Sequence, residues 1–157
     1  MIFTIIILTL LLDQITKAIA VKKIALNGNY EYFGGLIEFK LVKNFGAAFG
    51  ILQDKRWLFI IITTVVILVF IIYIVKFNSE INLHTKLALS LLLGGAIGNF
   101  IDRIRLGYVI DFIQIDIINS INFPVFNFAD VFIVFGTIML MIFTIYPRGS
   151  LTNGEKI

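Results

Sequence analysis

Four apolar stretches, separated by polar connections of unequal length, frame this chain. The clearest runs from Trp57 to Val75 without a charge. As a helix at 1.5 Å per residue it covers about 28 Å, close to the bilayer hydrocarbon thickness of about 30 Å. The pattern predicts helices over about 2–21, 57–76, 86–103 and 124–146. The first contains Asp13 and Lys17, the third ends in Asp102-Arg103, and the fourth stops before Pro147 and Arg148. Between the first two, residues 22–56 are the most strand-like part. Phe33, Leu36, Ile37, Phe39 and Leu41 are interspersed with Glu31, Glu38 and Lys40. Gly34-Gly35 reads as a turn between two short strands. A small β-rich cap over about 28–52 follows. The connection from Arg103 to Phe123 carries Asp111 and a tract of Ile and Asn, and 148–157 reads as a disordered tail. The fold class is mostly α and membrane: a four-transmembrane-helix bundle with a β-rich cap from the first loop, one domain over 1–157.

Composition agrees with that solvent. The 157 residues are 59% hydrophobic and 15% charged, with mean hydropathy +1.00; soluble domains run near 25% charged. The chain has no cysteine, which excludes disulfides, thiolate nucleophiles and cysteine-based metal sites. A net charge of +3 with scattered basic residues gives nucleic-acid binding little support. His84 stands in a polar loop without companion ligands, so no metal site is expected. Ala18-Ile19-Ala20 resembles a leader cleavage site. However, no basic residue precedes the apolar run, and Asp13 and Lys17 interrupt it, so the segment reads as a retained helix. The first loop holds Lys22, Lys23, Lys40, Lys43, Lys55 and Arg56, against Lys76 and Lys86 in the second. Counting alone puts the first loop in the cytoplasm.

Polar residues in the apolar segments recur at helical spacing. Asp13 and Lys17 are i,i+4, with the acid on the favourable side. Asn99, Asp102 and Arg103 share one face, as would Asn127 and Asp130. Ser90, Gly94 and Gly98 form a ladder of small residues that lets another helix approach closely. Each has a plainer account. Asp13 with Lys17 can be an interfacial ion pair, Asp102 with Arg103 a structural pair, the glycines packing, and Asn44 turn chemistry. Asp111 and Asp130 are harder to explain away. Asp130 is the only charged residue between Asp116 and Arg148, and a carboxylate at a membrane-helix centre costs roughly 2.5 kcal/mol or more. Two such acids in apolar sequence suggest a pair that shares a proton and activates water.

Five motifs then coincide with a known family. They are Asp13-Gln14-Ile15-Thr16-Lys17, Asn44-Phe45-Gly46-Ala47-Ala48-Phe49-Gly50, Gly94 to Arg103, Gly107-Tyr108-Val109-Ile110-Asp111-Phe112, and Phe123 to Asp130. In this order they resemble lipoprotein signal peptidase, also called signal peptidase II, the bacterial aspartic protease of prolipoproteins. The resemblance implies cleavage before a cysteine that carries a diacylglyceryl group, with Asp111 and Asp130 catalytic. It implies substrate contacts from Asn44, Gly46, Asn99, Arg103, Asn127 and Ala129, and support from Asp13, Lys17 and Asp102. No cofactor or metal is implied. The implied partners are the prolipoprotein and membrane lipids, with no nucleic acid and a monomeric enzyme. The implied location is the bacterial cytoplasmic (inner) membrane, multi-pass. Both termini would be cytoplasmic, the cap extracytoplasmic and the active site near the outer leaflet, against the lysine count. The rival reading is a small transporter with Asp111, Asp130 and Arg103 as relay groups; the absence of an internal repeat counts against it.

Overall fold

The computed structural model describes residues 1–46, 52–116 and 123–145. In chain order these form α1 (Ile2–Asn27), β1 (Tyr30–Tyr32), a single 3-10 turn (Phe33–Gly35), β2 (Ile37–Asn44), α2 (Arg56–Phe77), α3 (Leu83–Arg105), β3 (Val109–Ile115) and α4 (Phe128–Ile145). All four α-helices are long and apolar enough to cross a membrane. The protein is a multi-pass membrane protein with a three-stranded antiparallel sheet, ordered β1-β2-β3, at one end of the bundle.

The helix ends follow from local chemistry. α1 runs past the expected residue 21 to Asn27. Its lysines Lys22 and Lys23 lie on an exposed face while Ile24 stays buried, so the charges do not interrupt it. Gly28, at φ +80°, then ends it, and the Gly28 N–H closes on the Ile24 carbonyl at 2.9 Å. α3 begins three residues earlier than expected because Asn82 caps it, its side chain accepting from the Thr85 N–H at 2.8 Å. At the other end of α3, Arg56 donates to the carbonyls of Arg103 and Ile104, each at 2.8 Å. That clamp ties the start of α2 to the end of α3.

α3 is the axle of the bundle. Of its membrane-length stretch 61% is buried, against 22% for α1 and 11% each for α2 and α4. It packs on all three other helices, whereas α2 rests mainly on α3. The ladder of small residues works as expected: a side chain at Gly94 would collide with Thr9, and one at Gly98 with the Asp13 carboxylate. Gly95 and Gly136 do the same for the contact between α3 and α4. Ile2, Ile74, Ile81, Leu89 and Leu93 form the apolar core far from the sheet, and Ala20, Ile24 and Phe112 the core beneath it. α1 and α3 therefore run toward the sheet, and α2 and α4 run away from it.

Two departures from expectation matter for the site. The sheet does not come from the first loop alone, because β3 is supplied by the connection after α3. Its partners on β2 include Val42 for Asp111 and Asn44 for Val109, with an irregularity between Phe39 and Val42. The second departure is that α4 starts at Phe128, not near Pro124. Phe126 is extended and bonded to β3, its N–H donating to the Ile113 carbonyl at 2.9 Å. Residues 47–51 of the expected cap and the expected tail 148–157 lie outside the described residues.

Candidate functional site

Asp111 occupies the middle of β3, the strand not foreseen. The strand alternation turns its carboxylate inward, where it is 1% exposed. One oxygen, Oδ1, accepts from Asn127 Nδ2 at 2.6 Å and the other, Oδ2, from Asn44 Nδ2 at 2.8 Å. The Asn44 amide is itself oriented, because its Oδ1 accepts from the Gly46 N–H at 2.9 Å. Burial first, then the negative charge of Asp130, pushes the Asp111 carboxyl up from 3.8 to about 7. The two amide donors and Lys17 oppose that rise.

Asp130 stands in the first turn of α4. Its Oδ1 accepts from Asn99 Nδ2 at 2.8 Å, and its Oδ2 from the Asn127 backbone N–H at 3.1 Å. Asn127 Oδ1 in turn accepts from the Asp130 N–H at 3.0 Å. This reciprocal arrangement is a capping box. The i,i+3 spacing of Asn127 and Asp130 thus marks a helix start and not a shared helical face. Asn127 is also the hinge of the site, holding Asp111 with its side chain and Asp130 with its main chain.

Behind the pair lies a buried ion cluster. Lys17 donates to Asp13 Oδ2 at 2.9 Å, Asp102 Oδ2 at 2.8 Å and Asn99 Oδ1 at 2.9 Å. Its three ammonium hydrogens therefore have three acceptors. Asp13 Oδ1 also accepts from the Ala129 N–H at 3.0 Å, and Asp102 Oδ2 from the Ile110 N–H at 3.2 Å. Gln14, part of the first-helix motif, donates to Asp13 at 3.1 Å and to Asp102 at 3.2 Å. Its position beside Asp13 and three residues before Lys17 was the available signal. The cluster stitches α1, α3, β3 and α4 together at the level of the site. Neither Asp111 nor Asp130 has a salt bridge among the described residues.

Asn44, Gly46, Asn99, Arg103, Asp111 and Asp130 all line one cavity of about 880 Å³. Arg103 lies over the Phe59 ring at 4.8 Å and donates to the Gly46 carbonyl at 3.0 Å. Apart from Thr63 of α2, the rest of the lining is apolar, including Ile62, Val66 and Phe70 of α2 and Val134 of α4. Two expected substrate contacts do not reach the cavity. Asn127 and Ala129 are fully buried behind its wall, where they position the aspartates and seat α4 on α3. Arg56 and Phe59, which no spacing argument singled out, hold α3 and Arg103 from α2.

The arrangement is a pair of carboxylates beside a largely apolar cavity, each oriented by amide donors. A family model described as signal peptidase (SPase) II matches residues 5–146. A lipoprotein signal peptidase of Streptococcus agalactiae serotype Ia is 45% identical over 136 residues, 87% of this chain and 86% of that protein. One of Clostridium tetani is 43% identical over 147 residues, 92% of each. A solved bacterial membrane enzyme matches with a TM-score of 0.83 at 32% identity, over 99% of this chain and 94% of that one.

Proposed function

The chain belongs to the signal peptidase II family, and from that premise we propose that it removes signal peptides from prolipoproteins with Asp111 and Asp130 as its catalytic pair. Cleavage falls just before the diacylglyceryl-modified cysteine. The observation that carries the reading is that both carboxylates line one cavity and are jointly oriented by Asn127. Two close acids cannot both ionise cheaply, so the pair holds one proton near neutral pH. Asp111, with its raised carboxyl, is the member that carries it. Asp130 takes a proton from water, whose oxygen attacks the scissile carbonyl carbon. Asp111 donates its proton to the carbonyl oxygen, giving a neutral tetrahedral intermediate. As the C–N bond breaks, the cysteine nitrogen leaves with the proton that Asp130 took, and one hydroxyl of the intermediate returns a proton to Asp111, which forms the product carboxyl and restores the pair. No metal or nucleotide enters these steps.

Asn44, Arg103 and the Gly46 backbone at the sheet end of the cavity orient the extended peptide. Asp13, Lys17 and Asp102 support the site from behind. The lipid chains occupy the apolar half, between α2 and α4, which make little direct contact with each other. The enzyme is proposed to act as a monomer. The location proposed is the bacterial cytoplasmic membrane with both termini inside, the sheet outside and the site near the outer leaflet. The lysine count points the other way, but several of those charges are engaged in the fold. Lys40 pairs with Glu38 at 2.9 Å, Lys43 lies over the Tyr108 ring at 5.3 Å, and Arg56 clamps α3.

The test is incubation of the purified protein with a lipidated precursor. Wild type is expected to release the signal peptide. Asp111→Asn and Asp130→Asn are each expected to release none while remaining folded in the membrane. Full activity in either variant would remove that residue from the pair.

A further inference from the structure

The apolar half of the cavity contains one polar side chain that the chemistry above does not use. Thr63 lines it from α2, in a stripe with Phe59, Ile62, Val66 and Phe70. These recur at helical spacing and so share one face. Beyond the first turns, every other threonine of the four helices donates its hydroxyl to the carbonyl four residues earlier. These are Thr9, Thr16, Thr64, Thr137 and Thr144. That back-bonding is the usual way a threonine satisfies its hydroxyl where water is absent. The Thr63 hydroxyl makes no hydrogen bond among the described residues. An unpaired hydroxyl in hydrocarbon is unfavourable, and here it borders a cavity that can bring it an acceptor.

Depth identifies the acceptor. Arg56 of α2 is level with Arg103 and Ile104 of α3, whose carbonyls it clamps. The two helices are antiparallel, so Thr63, seven residues and about 10 Å further on, comes level with Ala96. Ala96 lines the same cavity and lies one turn beyond Asn99, which holds Asp130. On the prolipoprotein reading, the modified cysteine follows the scissile carbonyl directly. Its thioether carries the glyceryl group away from the aspartates, and the ester carbonyls follow within a few single bonds. They would arrive about one helical turn from the pair, at the level of Thr63.

We propose that Thr63 is a specificity-determining residue whose hydroxyl donates a hydrogen bond to an ester carbonyl of the substrate's diacylglyceryl group. This rests on the proposed function and deepens it. The stripe of Ile62, Val66 and Phe70 holds alkyl chains of any linkage alike. A single donor in that stripe tells an ester from an ether, because a substrate without the carbonyl leaves the hydroxyl unpaired.

The test uses the full-length protein in detergent micelles and two synthetic lipidated peptides. One carries a diacylglyceryl group with ester links on its cysteine, the other a dialkylglyceryl group with ether links. Wild type is expected to show a KM about three- to tenfold lower for the ester peptide, the value of one hydrogen bond. Thr63→Val, which keeps the shape and removes the donor, is expected to raise KM for the ester peptide by that factor. It should leave kcat within about twofold and abolish the preference, as expected for an interaction made equally in ground and transition states. Thr63→Ser is expected to restore the preference. Equal KM values for the two peptides in wild type, or a preference that survives in Thr63→Val, would overturn the proposal and leave the protease reading intact. Cleavage of neither peptide by wild type would overturn the reading on which it stands.

Discussion

Asp111→Asn is expected to change how stability depends on pH, independently of its effect on cleavage. In the folded protein, burial and then the charge of Asp130 push the Asp111 carboxyl from 3.8 to about 7. In the unfolded chain an aspartate titrates near ~3.9. Between about pH 4 and about pH 7 the folded protein therefore holds a proton that the unfolded chain has released. The neutral carboxyl stabilises the fold fully below about pH 4. That contribution is lost as pH rises, and it is gone above about pH 7. A rise of about 3 units at 1.36 kcal/mol per unit sets the full span at roughly 4 kcal/mol. At 1% exposure little of this is screened by bulk water, although water in the adjoining cavity makes the figure an upper bound. Asparagine keeps the shape and never ionises, so the variant lacks this slope. The assay is thermal unfolding in detergent micelles from pH 4 to 8, followed by the fluorescence of the one tryptophan and five tyrosines. Wild-type Tm should fall relative to the variant by roughly 10 °C across that window and then run parallel above about pH 7. Curves that stay parallel from pH 4 to 8 would refute the claim that burial beside Asp130 keeps Asp111 neutral.

Two further outcomes follow from the groups behind the pair. Lys17→Met leaves Asp13 and Asp102 buried without their shared cation and should cost about 3–5 kcal/mol, read as a lowered unfolding midpoint or loss of folded protein from the membrane; an unchanged midpoint would mean that the cluster is solvated. Asn127→Ala removes the α4 cap, worth about 1 kcal/mol, and one of the two amide donors that orient Asp111, so kcat should fall about 10²-fold with KM little changed. A KM rise with kcat intact would instead make Asn127 a substrate contact.

Much of the bundle is legible along the chain because hydrocarbon imposes a simple rule: backbone groups must be satisfied within the segment, so long apolar runs become helices. The glycine ladder on α3 is legible for a similar reason, since spacing of four puts Gly94 and Gly98 on one face whatever packs there. The connections are less so. Val109–Ile115 carries an inward aspartate and is read as a loop until β2 is alongside to pair with it. Phe126 leaves the helical pattern because its N–H and carbonyl are taken by β3. Asn127 consequently becomes a cap and not a helical residue, a change no periodicity argument could detect. Lysine counting treats Lys40, Lys43 and Arg56 as free charges, whereas each is engaged within the fold.

The sequence by itself determined the solvent, the four spans and the short list of polar residues that needed a reason to be there. It also separated Asp111 and Asp130 from the other acids, through motif order. The tertiary structure decided which acids are neutralised. Lys17 has three ammonium hydrogens, and the packing of α1 on α3 brings Asp13, Asp102 and Asn99 to them. Asp111 and Asp130 are held one layer further out, on β3 and at the head of α4, where amides reach them and that cation does not. Amide donors orient a carboxylate without cancelling its charge, so Asp111 and Asp130 border the cavity with no salt bridge among the described residues.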